Sequence, residues 1–385
     1  MENPLLELQE YENLREALKK AKGPVQATGT LDSQKVHLMY WLGKDGGFPW
    51  KLVVTYDDQR AREIYDDFRS FTENVWLYPA KDLLFYSADI HGNLMTRQRI
   101  AVWRHLMEDE EGVVVTTLDG LMDHLLPLVF LKQQAVTVEN GQIMDLDEWK
   151  ERLTALGYER TAQVDGMGQF SIRGGIVDIF PLTEEVPVRI ELWDDEVDSI
   201  RSFDPESQRS VEQLEKVTIY PAAETVLTKK QLEAGIAGLE KEEKEYEAAL
   251  RAKHQIEEAS RIRGIIKELT EGIRQGWKRD GLDAYIRYFC PETVSFLDYF
   301  PSGDTLICLD EPARLKDKGE TVEQEFRESM IHRLEKGYLL PGQTELLYAG
   351  PQVLAKLQGS YTVMLTGLDQ KLPGMKVKEK FSFDV

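Results

Sequence analysis

The chain has 385 residues, 42% of them hydrophobic, which is enough for two or three domains with real cores. A formal net charge of -21 and a pI near 4.8 argue against this chain being the part of anything that grips nucleic acid, because phosphate binding wants clustered Lys and Arg. Cys290 and Cys308 fit neither a metal-site spacing nor a disulfide framework, no window approaches a membrane span, and the charged amphipathic start lacks a signal-peptide pattern; a cytoplasmic protein without membrane contact is expected.

The first element is a helix over 5–21, ended by Gly23-Pro24. "PVQATG" and a helical pattern to Leu42 follow, then "WKLVVTYDD" as a strand, "QRAREIYDDFRSF" as a helix, "NVWLYP" as a strand and "MTRQRIAVWRHLMED" as a helix. "GVVVTTLDGLMDHLLP" adds a strand and a short helix, and the alternation is that of a parallel sheet covered on both faces. From Pro127 to Val217 the rhythm changes: "FLKQQAVTVENGQIMDLDEWKERLTALGY" gives a strand, a loop and one helix, and "GQFSIRGGIVDIFP" and "VPVRIELWDDEVDSIRSFD" read as neighbouring antiparallel strands. Thr228 to Gln275 is strongly helical, and α/β patterning returns at "SFLDYFPSGDTLICLDEPARL" and "SYTVMLTGLDQ". The simplest architecture is one α/β domain, 1–126 and 218–385, interrupted by a small α+β unit at 127–217; an independent last third is the alternative.

The segment "PVQATGTLDSQKVHL" has the setting of a phosphate-binding loop. A P-loop, G-x-x-x-x-G-K-[ST], needs glycines where its backbone N–H groups curl around phosphates and a Lys that reaches the outer ones. Laid across Thr28-Gly29-Thr30, that template puts Gln26 and Leu31 at the glycines, Asp32 at the lysine and Ser33 at the hydroxyl. Only Ser33 fits, and a carboxylate at Asp32 would repel a triphosphate. The alternative is a plain strand–turn–helix junction with Asp32 or Ser33 as N-cap.

"DTLICLDEP" is an apolar strand ending in Asp310-Glu311, the form of a Walker B element whose acid holds Mg²⁺; without a phosphate loop it has nothing to act on. No H-E-x-x-H, G-x-S-x-G or Cys-x-x-Cys motif occurs and the six histidines are scattered, so no catalytic residue, metal site or cofactor is expected in this chain.

"VPVRIELW" carries a different signal. Strand alternation puts Val186, Val188, Ile190 and Leu192 on a core face and Arg189, Glu191 and Trp193 on the other. In "GQFSIRGG" it buries Phe170 and Ile172 and turns Arg173 outward. Trp and Arg are the types most enriched at binding hot spots. The pattern leaves open whether this face binds a partner or whether a loop covers Trp193 with an Arg stacked on its ring.

At "GQFSIRGGIVDIFPLTEEVPVRIELWDDEVDSIRSFDPESQRS" the chain closely resembles the bacterial transcription-repair coupling factors, in the module they share with the excision-repair protein UvrB. "LYPAKDLLFYSADIHGNLMTRQRIAVWRHL" and "SFLDYFPSGDTLICLDEPARL" follow in the expected order, so the resemblance covers nearly the whole chain. It implies a helicase-like α/β fold of the P-loop type whose nucleotide site (Gln26, Leu31, Asp32, Ser33, Asp310, Glu311) is degenerate. It also implies an N-terminal fragment of a longer ATP-dependent DNA translocase, whose ATP, Mg²⁺, RNA polymerase and double-stranded DNA contacts lie in domains that follow. Within the fragment it implies UvrA recruitment through Arg173, Arg189 and Trp193, with Glu191 and Arg201 flanking. The alternative in the same family, a fragment of UvrB or another active repair helicase, requires an intact phosphate loop. UvrB also carries a long Tyr-rich hairpin, for which the path from "YSADIHGN" to "MTRQRIAVW" is too short.

Overall fold

The computed structural model describes residues 3–81, 92–276 and 281–383. Most of "YSADIHGN", on which the hairpin argument rests, lies outside the described residues. In chain order the strands are β1 (Val25–Thr28), β2 (Trp50–Thr55), β3 (Val75–Tyr78), β4 (Gly112–Thr117), β5 (Val136–Glu139), β6 (Glu159–Arg160), β7 (Gln169–Arg173), β8 (Ile176–Ile179), β9 (Val188–Trp193), β10 (Glu196–Phe203), β11 (Ser210–Leu214), β12 (Lys216–Ile219), β13 (Thr305–Asp310), β14 (Thr362–Thr366) and β15 (Glu379–Ser382).

Seven of them form one wholly parallel sheet in the order β15-β1-β14-β13-β2-β4-β3. Its central strands are largely apolar because both faces are covered, while the edge strand β15 ("EKFS") is mostly polar and partly exposed. Val53, Val113, Val115, Leu306 and Cys308 point into one core with helices Gln9–Lys19, Asp32–Gly46 and Asp58–Phe68. Their neighbours Leu52, Val54, Val114 and Leu309 point into the opposite core with helices Gly92–Met107 and Pro312–Glu335. This is the helicase-like α/β architecture expected from the sequence.

The chain leaves this domain along β5 and returns along β12, which pair antiparallel with Val136 opposite Ile219. Between them lies a six-stranded sheet, β11-β10-β9-β8-β7-β6, antiparallel except for β6 beside β7. Both sheets share a core that includes Val138, Trp149, Phe170, Ile190 and Val217. The helical stretch after β12 is two helices, Lys229–Ala252 and Ile256–Gln275, packed on each other around Leu239, Ile262 and Leu269.

Some local expectations change. Helix Leu128–Gln134 precedes β5 where only a strand was expected, and Leu131 packs into the core of the parallel sheet. Val186 is exposed rather than in the core, because β9 begins only after Pro187, which has no N–H to give to a ladder. Neither Asp32 nor Ser33 caps its helix: Leu31 is the N-cap, and the Gln34 side chain accepts from the Leu31 N–H at 3.0 Å.

Candidate functional site

The outward face of the inserted sheet is set by cross-strand register. Arg189 on β9 stands opposite Asp178 on β8 and Arg201 on β10, and Asp178 stands opposite Ser171 on β7. Two positions along, Glu191 pairs with Ile176 and Ser199, and Trp193 with Glu196. Arg173, Arg189, Glu191, Trp193 and Arg201 therefore share one face, as alternation predicts, while Phe170, Val177, Val188 and Ile190 are buried behind them. The two-residue turn Gly174-Gly175 brings Arg173 onto that face, with Gly174 at φ +58°, a conformation that favours glycine.

Trp193 is not covered: it is 81% exposed. The guanidinium of Arg189 stacks on the buried Phe203 ring, 4.6 Å from its centroid, and not on the indole. Arg189 Nε and Nη2 donate to the two oxygens of Asp178 at 2.7 and 2.9 Å, and Nη2 also donates to Gln208 Oε1 at 3.1 Å. Hydrogen bonding to Asp178 holds the Arg189 guanidinium above its ordinary pKa, with burial acting against it. Arg173 Nη2 donates to Asp178 Oδ2 at 2.9 Å. The side chains of Arg173 and Arg189 are 50% and 16% exposed, so Arg173 keeps free donors toward solvent and Arg189 presents little more than an edge. Arg201 and Glu191 form an ion pair, and Ser199 donates to the same carboxylate. The three guanidiniums are matched on this face by the carboxylates of Asp178, Glu191 and Glu196, the last standing opposite the exposed indole. Sequence reasoning missed Asp178; its signal was an acid at the centre of the apolar strand "IVDIF".

The second cluster lies at the carboxyl ends of the parallel strands. Only Gly29, Thr30 and Leu31 separate β1 from the helix starting at Asp32. Gly29 adopts φ +82°, and a Cβ there would sit 2.0 Å from the Phe383 carbonyl oxygen. The Gly29 N–H donates to the Thr366 carbonyl at 3.1 Å. Gln26 is buried in β1 and donates to Thr366 Oγ1 and the Gln370 carbonyl, both at 3.2 Å. Leu31 and Ser33 are exposed, and the Asp32 side chain is 91% exposed, 3.8 Å from Arg60.

The residue that sequence reasoning passed over is Lys35. Its Nζ donates to Asp310 Oδ1 and Glu311 Oε1, each at 2.7 Å, and both Lys35 and Asp310 are buried. The other oxygen of Asp310 accepts from Thr55 Oγ1 at 2.9 Å and Arg60 Nε at 3.3 Å. Burial, the largest single influence, lowers the Arg60 pKa, but the charges and hydrogen bonds of Asp310 and Glu63 together outweigh it and the net displacement is upward. Glu311, at φ +49°, also accepts from the Gly367 N–H at 2.8 Å. A shallow cavity of about 290 Å³ opens beside this cluster, lined by Gly29, Leu31, Gly367 and Leu368 among others.

An antiparallel-sheet insert with an arginine-and-tryptophan face, borne on a helicase-like parallel-sheet domain, defines the class: residues 136–224 match the UvrB interaction domain family. The chain is 34% identical over 291 residues to the transcription-repair-coupling factor of Bacillus subtilis strain 168, covering 75% of this chain and 24% of that protein. It is 30% identical over 311 residues to that of Staphylococcus haemolyticus, covering 79% of this chain and 26% of the relative. For Staphylococcus aureus strain MRSA252 the figures are 31% over 306 residues, 77% and 25%. The chain belongs to the transcription-repair-coupling factor family and spans about a quarter of the length of the curated relatives it matches. No helix among the described residues is long and apolar enough to cross a membrane.

Proposed function

We propose that this chain is a non-catalytic adaptor that recruits UvrA of nucleotide excision repair through the outward face of its inserted sheet. The observation that carries this reading is the 81% exposure of Trp193 on the same sheet face as Arg173 and Arg189. A large flat aromatic on one face with preordered guanidiniums supplies contact area and directional donors at once. The match to the UvrB interaction domain family supports it. Within a longer coupling factor, such a face would bring UvrA to lesions where RNA polymerase has stalled, and ATP, Mg²⁺ and double-stranded DNA would be handled by other domains of an ATP-dependent translocase.

The parallel-sheet domain acts in this reading as a support without nucleotide chemistry. A triphosphate needs free backbone N–H groups, a free lysine and a metal-binding acid. Here the Gly29 and Leu31 N–H groups are spent within the chain, and Asp310 is neutralised internally by Lys35 and Arg60. That arrangement separates the adaptor from an active UvrB-like helicase. The test is a pull-down with purified UvrA: the Arg173→Ala/Arg189→Ala/Trp193→Ala variant should lose binding, and wild-type capture by that variant would sink the site. For the nucleotide half, titration calorimetry should give no binding heat with Mg-ATP, and a micromolar constant would refute it.

A further inference from the structure

Asp178 occupies the outward face of β8 yet is only 1% exposed. A lone carboxylate there would be strongly unfavourable, and its surroundings answer it with two cations. Both Asp178 oxygens bond to Arg189 and one also bonds to Arg173, so a single buried charge fixes the plane of one guanidinium and the reach of the other. Gln208 completes the seat of Arg189: its Oε1 accepts from Nη2, while its own Nε2 donates to the Pro205 carbonyl at 2.8 Å. Side chains that are already ordered lose less freedom when a partner arrives.

We propose that Asp178 is a positioning residue of this docking face. It presents little or no surface to a partner, and sets the direction in which Arg173 and Arg189 offer donors to a partner's carboxylates or carbonyls. The proposal rests on the reading of this face as the UvrA site. It makes the two arginines one unit, so that removing Asp178 and removing the arginines remove the same interaction.

The experiment measures UvrA affinity by calorimetry for the whole chain and for Asp178→Asn, Arg173→Ala/Arg189→Ala and the combination of all three. An NMR measurement of the exchange rate of the Arg189 Nε–H proton accompanies it, a readout that general destabilisation leaves unmoved while the fold persists. Asp178→Asn should weaken UvrA by about tenfold or more, speed Arg189 Nε–H exchange, and add nothing in the arginine-free background. Wild-type affinity for Asp178→Asn, or a second loss of equal size in that background, overturns the proposal. If Asp178→Asn does not fold, Asp178→Glu keeps the charge and moves it by one methylene; wild-type affinity there is equally fatal. Failure of the underlying site reading looks different: the wild-type chain does not bind UvrA, or the Arg173, Arg189 and Trp193 triple alanine variant binds as the wild type does, and both ideas fall.

Discussion

Lys35 and Asp310 are 275 positions apart in the sequence and meet at 2.7 Å beneath the carboxyl ends of the parallel strands. The contact ties the first helix after β1 to the end of β13; in the reading proposed above, it fills with protein charge the place where a phosphate loop and a metal-binding acid would face each other.

Lys35→Met should therefore destabilise the protein by about 2–4 kcal/mol, because it leaves buried Asp310 with Arg60 and Thr55 alone. The exposed neighbours Asp32 and Ser33 should tolerate alanine within about 0.5 kcal/mol. Urea unfolding of the three variants checks this, and equal midpoints would show that the buried pair contributes nothing.

Trp193→Ala separates binding from folding. An indole with 81% exposure holds no core together, so the unfolding midpoint should stay within about 0.5 kcal/mol of wild type. UvrA affinity should fall by about 2 kcal/mol. Acrylamide quenching of tryptophan emission should drop at the same time, since the most accessible tryptophan among the described residues would be gone.

The buried Arg99 makes ion pairs to Asp123 at 2.8 Å and Glu224 at 3.1 Å, and its guanidinium lies 4.4 Å from the centre of the Tyr78 ring. It joins the parallel-sheet domain to the segment just after β12. Arg99→Met strands the buried Asp123 carboxylate and leaves Glu224 with Lys81, 3.0 Å away, and should cost about 3–5 kcal/mol, read as a lowered thermal midpoint. UvrA affinity of the folded protein at low temperature should not change.

His124 carries an acid-sensitivity signature. Burial, with Arg287 adding to it, lowers its pKa to about 4, while the unfolded chain titrates near the ordinary value of about 6.5. Between those values the unfolded state binds the extra proton, so this group's contribution is full above about pH 6.5 and is lost as pH falls toward 4. Partial exposure limits it to about 2 kcal/mol. His124→Gln should flatten the fall in unfolding midpoint between pH 6.5 and 4.5; an unchanged slope would exclude His124 as its source.

That Arg189, Glu191 and Trp193 share one outward face was legible in the sequence because it depends on a period of two, which the three carry within one strand. Asp178 was not, because what makes it matter is the register of β8 against β9, a tertiary fact. Lys35 was hidden by a template anchored on Gly29, although its helical spacing with the buried Met39 and Leu42 already placed it on an inward face. Val186 was misplaced by running an alternation through Pro187. Helix Pro312–Glu335 went unassigned although Pro312 stands at its first position, where proline starts helices well.

The pairing of β5 with β12 has a topological consequence. The points where the chain departs from the parallel-sheet domain and rejoins it are one strand spacing apart, about 5 Å. To the helicase-like domain, the whole inserted unit is therefore equivalent to a short hairpin connection. Such a connection lets the insert and the parallel-sheet domain change separately, because the two chain ends it must join already lie side by side.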